Sequence, residues 1–164
     1  MKQSKWKTYA VWIAATEAVG ALSGFLTREG TKLYSERIVK PPLSPPPIVF
    51  PIAWALLYAL MAYGAARVYL ARPSAARSRS LRLYLLQLAF NFFWSILFFN
   101  MEAFGAAFVW LAALWALILL MLLSFRRVDR TAAAVQYPYL LWVLFAGYLN
   151  LGVWMLNGQP GVSA

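Results

Sequence analysis

The chain has 164 residues, of which 63% are hydrophobic and 12% are charged, and its mean hydropathy is +0.64. This composition leaves too little polar surface for a soluble globular protein and indicates a membrane protein. Because the sequence contains no Cys and no His, disulfide frameworks, thiolate nucleophiles, Ser-His triads and the usual zinc or copper sites are excluded. The net charge is +10, but the sequence has no soluble face on which basic and aromatic residues alternate, as nucleic-acid binding would require. We therefore expect the lipid bilayer as a partner and no nucleic acid.

Five continuously apolar runs are long enough, at about 20 residues each, to cross a bilayer as helices. They lack the alternation of barrel strands, and helices satisfy their own backbone hydrogen bonds in lipid. The sequence therefore predicts an all-α integral membrane bundle that forms a single domain over residues 1–164. Its helices are expected at about 9–27, 47–70, 82–100, 103–125 and 132–156, with a lid loop at 28–46.

The first predicted helix carries one carboxylate, Glu17, and two glycines, Gly20 and Gly24. The glycine spacing lets another helix approach closely, and we favour packing within the bundle over a dimer seam. An ionisable side chain near mid-membrane is either part of a functional site or protonated and hydrogen-bonded to a neighbour, such as Thr16 or a polar residue on the third helix. The sequence leaves both interpretations of Glu17 open.

A proline-rich segment, residues 41–47, precedes the second helix; we call it the strap. Its five prolines exclude a helix, because each lacks an N–H and favours extended backbone before it. Below the strap, Phe50, Trp54 and Tyr58 recur every four residues and so share one helix face.

Polar and aromatic stripes mark the third and fifth helices. Gln87 and Asn91 should point into the bundle, because amides facing lipid are costly; they either join helices or anchor a ligand. In the fifth helix Pro138 is expected to cause an early bend. The face of the fifth helix that is expected to oppose Trp54 carries Trp142, Ala146, Leu149 and Asn150.

Charge predicts the orientation. If the helices alternate in direction, the loop after the first helix lies on a side whose only basic residues are Arg28, Lys32, Arg37 and Lys40. All other Lys and Arg residues, beginning with Lys2, lie on the opposite side. By the positive-inside rule the N-terminus is cytoplasmic and the C-terminus lies across the membrane.

Short motifs of this chain resemble those of the translocator protein family, also known as tryptophan-rich sensory proteins or peripheral-type benzodiazepine receptors (TspO/MBR). They occur in order along nearly the whole chain: KP at 40–41, PP at 45–46, VFPIAW at 49–54, QLAFN at 87–91 followed by Trp94, and PYLLW at 138–142 followed by Asn150. The resemblance implies a five-helix membrane protein, often a homodimer. It also implies binding of porphyrins and, in some members, of sterols or benzodiazepine-site ligands, in a cavity closed by the first loop.

Carried over by position, Trp54, Asn91, Trp142 and Ala146 would line that cavity, with the strap as its lid. With the polar and aromatic residues around them, they give the set that we expect to bind the ligand: Tyr34, Pro41, Pro45, Phe50, Trp54, Tyr58, Gln87, Asn91, Trp94, Trp142, Ala146 and Asn150.

Two places depart from the family pattern. The strap has Pro42 and Leu43 where the family usually places a Trp. The sterol motif of the last helix has a Tyr and then a basic residue, and Leu151 and Met155 stand there instead, which gives a sterol partner little support.

The residues themselves favour a flat, anionic, aromatic ligand. Trp54, Tyr58, Trp94 and Trp142 offer stacking faces, and propionates can pair with Arg28, Lys32, Arg37 and Lys40. Without His or Cys a haem iron has no strong axial ligand, so we expect porphyrin or haem as a ligand, no required cofactor and no metal site. The leading hypothesis is a porphyrin carrier or sensor. The alternatives are an enzyme for light- or oxidant-dependent porphyrin breakdown that uses Trp54 and Trp142, and a membrane scaffold without catalysis.

Overall fold

The computed structural model describes residues 4–158. Lys2 and both ends of the predicted domain lie outside this range. The described chain forms helices α1 Lys5–Leu26, α2 Arg28–Arg37, α3 Val49–Leu70, α4 Ala75–Ser95 with a π-helical turn Ile96–Asn100, α5 Phe104–Val128, α6 Arg130–Ala134 and α7 Tyr137–Asn157.

Five helical segments of this range are long and apolar enough to cross a membrane: α1, α3, α4 with its π-helical turn, α5, and α6 together with α7. This confirms the predicted all-α membrane bundle. α4 packs along α5, α5 packs along α7, and α3 lies between α1 and the rest of the bundle. Fully buried apolar side chains from α3 and α5, among them Met61, Leu114 and Phe125, fill the core.

α1 lies at the periphery of the bundle. Its buried residues are small and polar, namely Thr8, Thr16 and Ser23, whereas apolar side chains such as Phe25 face outward. The side-chain hydroxyl of Thr16 bonds to the hydroxyl of Tyr84 on α4. α1 therefore contacts the bundle through small side chains and exposes its apolar surface to lipid, as an outer membrane helix can.

The structure corrects two predicted boundaries and one predicted bend. The expected loop 28–46 contains a helix, α2, and only its second part is irregular. α4 starts at Ala75, well before the apolar stretch, because the Ser74 hydroxyl accepts a hydrogen bond from the Arg77 N–H at 3.1 Å and caps the helix. Pro138 does not bend the fifth helix: it occupies the first turn of α7, where its missing N–H has no cost.

An ion pair fixes the end of the bundle opposite the strap. The Arg67 guanidinium donates from Nη2 to Oδ2 of Asp129 at 2.8 Å, and the Asp129 carboxylate also accepts from the Ala132 N–H at 2.8 Å. Burial raises the pKa of Asp129, but these hydrogen bonds outweigh it and hold the pKa below its ordinary value of 3.8. α3 is thereby joined to the corner between α5 and α6.

We predict that Asp129→Asn lowers the thermal stability of the detergent-solubilised protein at neutral pH by on the order of 1 kcal/mol. Because the asparagine side chain can still cap the helix, the loss of stability measures the contribution of the negative charge of Asp129. Because the folded-state pKa is depressed, the ion pair stabilises the protein fully above pH 3.8 and its contribution disappears as the pH falls further. Melting curves of the two proteins should therefore converge in acid; a gap that persists there would contradict this assignment.

Candidate ligand-binding site

A cavity of about 830 Å³ opens beneath the strap, within the range of ligand sites in proteins. Its walls come from α1, α2, α3, the end of α4 with the π-helical turn, α7 and the strap. The residues that line it and that matter below are Glu17, Gly20, Arg28, Tyr34, Lys40, Pro45, Phe50, Trp54, Tyr58, Trp94, Phe98, Trp142, Ala146 and Asn150.

Aromatic rings form most of the cavity wall. The Trp54 ring meets the Trp142 ring edge to face, with centroids 6.4 Å apart, and lies 5.7 Å from the Tyr58 ring. On the other side Trp94 stacks on Phe98 at 5.3 Å. The Trp94 indole N–H is occupied, since it donates to Asn150 Oδ1 at 3.0 Å. The wall therefore presents π faces to a ligand and few free polar groups.

Positive charge lies at the mouth of the cavity. Arg28 and Lys40 line it, whereas Lys32 and Arg37, which were expected to join them, lie outside. The Lys40 ammonium sits 5.0 Å from the Tyr34 ring centroid and donates to the Ser35 carbonyl at 3.1 Å. Burial raises the pKa of the Tyr34 phenol, so Tyr34 stays neutral beside these cations.

The strap is held by α7. The side chain of Asn157 accepts from the Val39 N–H at 2.9 Å and donates to the Val39 carbonyl at 2.7 Å. Pro41 is buried against Gly152, where an added Cβ would come within 2.6 Å of the proline ring. Pro41 therefore fixes the strap from outside and does not line the cavity, contrary to expectation.

Leu43, one of the two residues that stand where the family was expected to place a tryptophan, is not part of the cavity wall. Leu43 has a left-handed backbone with φ of 68° and is 81% exposed. A turn forms around it, in which the Ser44 hydroxyl donates to the Pro41 carbonyl at 2.7 Å. The lid face of the cavity is formed by Pro45 and Pro47 instead.

A buried chain of hydrogen bonds lies behind the floor of the cavity. The Tyr58 hydroxyl donates to Asn91 Oδ1 at 3.0 Å, Asn91 Nδ2 donates to the Tyr139 hydroxyl at 2.7 Å, and Tyr139 donates to Gln87 Oε1 at 2.7 Å. Gln87, Asn91 and Tyr139 are almost completely buried. Gln87 and Asn91 were expected to bind ligand; the structure places them behind the wall, where they join α3, α4 and α7.

The structure thus brings nine of the expected residues to one cavity: Tyr34, Pro45, Phe50, Trp54, Tyr58, Trp94, Trp142, Ala146 and Asn150. Their role in binding stays a prediction. Glu17, which the sequence left open, also lines the cavity, and Thr16 pairs with Tyr84 instead of with Glu17. Gly20, one turn further along α1, indicates that Glu17 faces the cavity. Because Gly20 packs against the Tyr58 ring, this face of α1 is directed inward.

Fold and site together define a class: a multi-pass membrane protein of five spanning helices with an aromatic-lined cavity closed by a proline strap. The sequence matches the TspO/MBR family over residues 12–155, and the chain belongs to this family. The resemblance found in its motifs is thereby confirmed.

Relatives from distant organisms align along almost the whole chain. The tryptophan-rich protein TspO of Chlorobaculum tepidum is 34% identical over 151 residues, which cover 92% of this chain and 96% of the relative. Protein CrtK of Rhodobacter capsulatus is 34% identical over 154 residues, 93% of each chain. The translocator protein of Bos taurus is 35% identical over 155 residues, 89% of this chain and 91% of its own.

Gly152→Ala should loosen the strap, because its Cβ would overlap the rigid Pro41 ring. We expect the Val39 amide, which is bonded to Asn157, to exchange its hydrogen about tenfold faster, as measured by hydrogen–deuterium exchange. Gly147→Ala is the matched control on the same helix, since the nearest atom to its Cβ is 4.0 Å away. Equal protection in both variants would show that the strap does not depend on this contact.

Asn91→Leu should act on stability. It removes the acceptor of the Tyr58 hydroxyl and the donor to the Tyr139 hydroxyl, which keeps only its bond to Gln87, at a cost of roughly 1 to 3 kcal/mol. Phe93→Leu on the lipid-facing side of the same helix is the control and should leave the melting temperature nearly unchanged. If the folded Asn91→Leu protein melts at the same temperature as its control, the chain of hydrogen bonds through Asn91 does not hold the helices together.

Proposed function

We propose that this protein is a membrane receptor or carrier that binds a porphyrin in the cavity under the strap, in transport or sensing. The observation that carries the proposal is the cavity itself, of about 830 Å³, with tryptophans on facing helices. A flat macrocycle has two large π faces, and Trp54, Trp94 and Trp142 supply indole rings from α3, α4 and α7 to meet them. The motifs shared with the family support the same ligand class.

The charge at the mouth supports an anionic ligand. Arg28 and Lys40 line the cavity near the strap end of the bundle, where carboxylates at one edge of a bound macrocycle would reach them. An arginine and a lysine at this depth remain within reach of water, so they form ion pairs without the cost of burying a free charge. The ligand would thus lie with its acidic edge outward and its apolar edge inward.

Iron adds little to binding here. The chain has no His and no Cys, so the residues of the cavity would hold haem and metal-free porphyrin alike by face contact and by their propionates. We therefore propose protoporphyrin as the first ligand to test. Saturable quenching of tryptophan fluorescence by protoporphyrin in the detergent-solubilised protein is the direct measurement.

Trp142→Ala should weaken protoporphyrin binding by up to about tenfold, because a stacking face is worth on the order of 1 kcal/mol. Trp110→Ala is the matched control: the Trp110 ring stacks on Phe90 at 4.3 Å, its indole N–H donates to the Phe90 carbonyl, and it is not part of the cavity wall. Fluorescence titrations of both variants give the comparison. Equal losses would point to general destabilisation and not to stacking.

The orientation is a further part of the proposal. The Tyr9 and Tyr63 rings stack at 5.3 Å and Arg67 pairs with Asp129, so the start of α1 and the loops after α3 and α5 share one end of the bundle. Most of the basic residues belong to this end, which we place in the cytoplasm, with the strap across the membrane.

A reporter fused after Ala164 should therefore be non-cytoplasmic. Paired fusions test this in cells, one of a reporter active only in the cytoplasm and one of a reporter active only outside it. We expect activity from the second fusion alone, because the basic loops hold the opposite end inside. Activity from the cytoplasmic reporter would invert the topology.

A further inference from the structure

The inner end of the cavity contains a carboxylate, Glu17. It lies on a membrane-spanning helix, about 14 Å below the end of α1 at 1.5 Å of rise per residue. Tyr58 lies at the same depth, about 14 Å below the start of α3. Both residues line the cavity, and Gly20 brings the two helices together one turn above Glu17, where it packs directly on the Tyr58 ring.

The hydrogen bonds around Tyr58 decide the polarity of this inner end. The Tyr58 hydroxyl donates its proton to Asn91, and the Asn91 amide N–H donates to Tyr139. The Tyr58 oxygen can therefore only accept a hydrogen bond from a ligand. Within residues 4–158 the Glu17 carboxyl has no hydrogen-bond or salt-bridge partner. Glu17 and Tyr58 therefore offer acceptors to a ligand, and no proton from Tyr58 neutralises the carboxylate.

The cavity is consequently polarised along its length, with Arg28 and Lys40 at the mouth and Glu17 at the floor. The two basic residues and Glu17 have opposite effects on an acidic ligand. A carboxylate is attracted at the outer edge and repelled at the inner edge, and in a partly desolvated site this repulsion is much stronger than in water.

We infer that Glu17 is a specificity-determining residue, which admits planar ligands with all their carboxylates on one edge and rejects ligands with carboxylates on both edges. The inference rests on the proposed porphyrin binding and names the subclass of porphyrin that the cavity takes. Protoporphyrin, with both propionates on one edge, fits this rule. Coproporphyrin, which carries four carboxylates distributed around the ring, violates it.

The test compares the affinities of these two porphyrins by fluorescence titration in wild type, Glu17→Gln and Glu17→Asp. Wild type should bind protoporphyrin more tightly. Glu17→Gln should reduce this preference about tenfold, through tighter binding of coproporphyrin, since removing the floor charge removes one repulsion. Glu17→Asp keeps the charge and should keep the preference. Glu36→Gln, an exposed carboxylate of α2 outside the cavity wall, is the control and should behave as wild type.

The outcomes separate the two proposals. If neither porphyrin binds wild type, the proposed function fails and this inference fails with it. If protoporphyrin binds but the preference is absent in wild type, or is the same in Glu17→Gln, only the role of Glu17 is overturned. Weaker coproporphyrin binding by Glu17→Gln would also overturn it, because the carboxyl would then be a neutral donor to the ligand. The wild-type comparison stands even if a variant fails to fold.

Discussion

The bundle depends on the hydrogen-bonded chain from Tyr58 through Asn91 and Tyr139 to Gln87. In lipid, polar side chains have no water to bond, so an amide on α4 must find partners on other helices. Here each group satisfies the next, and a satisfied buried network favours one arrangement of its helices over others. α3, α4 and α7 are therefore held in a fixed register at the depth where the cavity ends.

This constraint also shapes the site above it. Many polar groups of the helix interface are used in the network or, like the Trp94 indole and Asn150, in pairs at the wall, so the middle of the cavity wall is mostly aromatic. The Trp142 indole N–H has no partner among the described residues. The remaining charges lie at its two ends. A binding site with an apolar middle and charged ends orients its ligand more strongly than it selects chemical detail at the centre. Such a site suits the porphyrin binding proposed above.

Much of this architecture could be predicted from the sequence, because lipid restricts the choices. Continuous apolar runs indicate spanning helices, and the spacing of Phe50, Trp54 and Tyr58 places them on one face. α2 could not be predicted in this way, because its residues are mostly polar and it lies outside the apolar runs. Only Gly30 is buried, against the π-helical turn.

The partners of individual side chains could not be predicted. The sequence shows that Asn91 and Gln87 must point inward, but both a ligand and a neighbouring tyrosine satisfy an amide equally well. In the structure the partner of the Asn91 amide N–H is Tyr139, which lies 48 residues from Asn91 in the sequence. Only the packing of α7 on the bundle brings the two residues together. Pro41 is a similar case, since its position depends on the absence of a side chain at Gly152.

The clasp between Val39 and Asn157 sets an order of events in biogenesis. The two residues are 118 positions apart, and Asn157, which holds the strap, is the last residue of α7. At ordinary rates of synthesis, about 5–20 residues per second, the strap waits for on the order of 10 s before its partner exists. During that interval the four earlier spanning helices lack α7, and the strap, although already synthesised, has no partner to hold it over the cavity. The site is thus completed only after Asn157 has been synthesised, and a chain stopped short of Asn157 would leave its cavity unsealed.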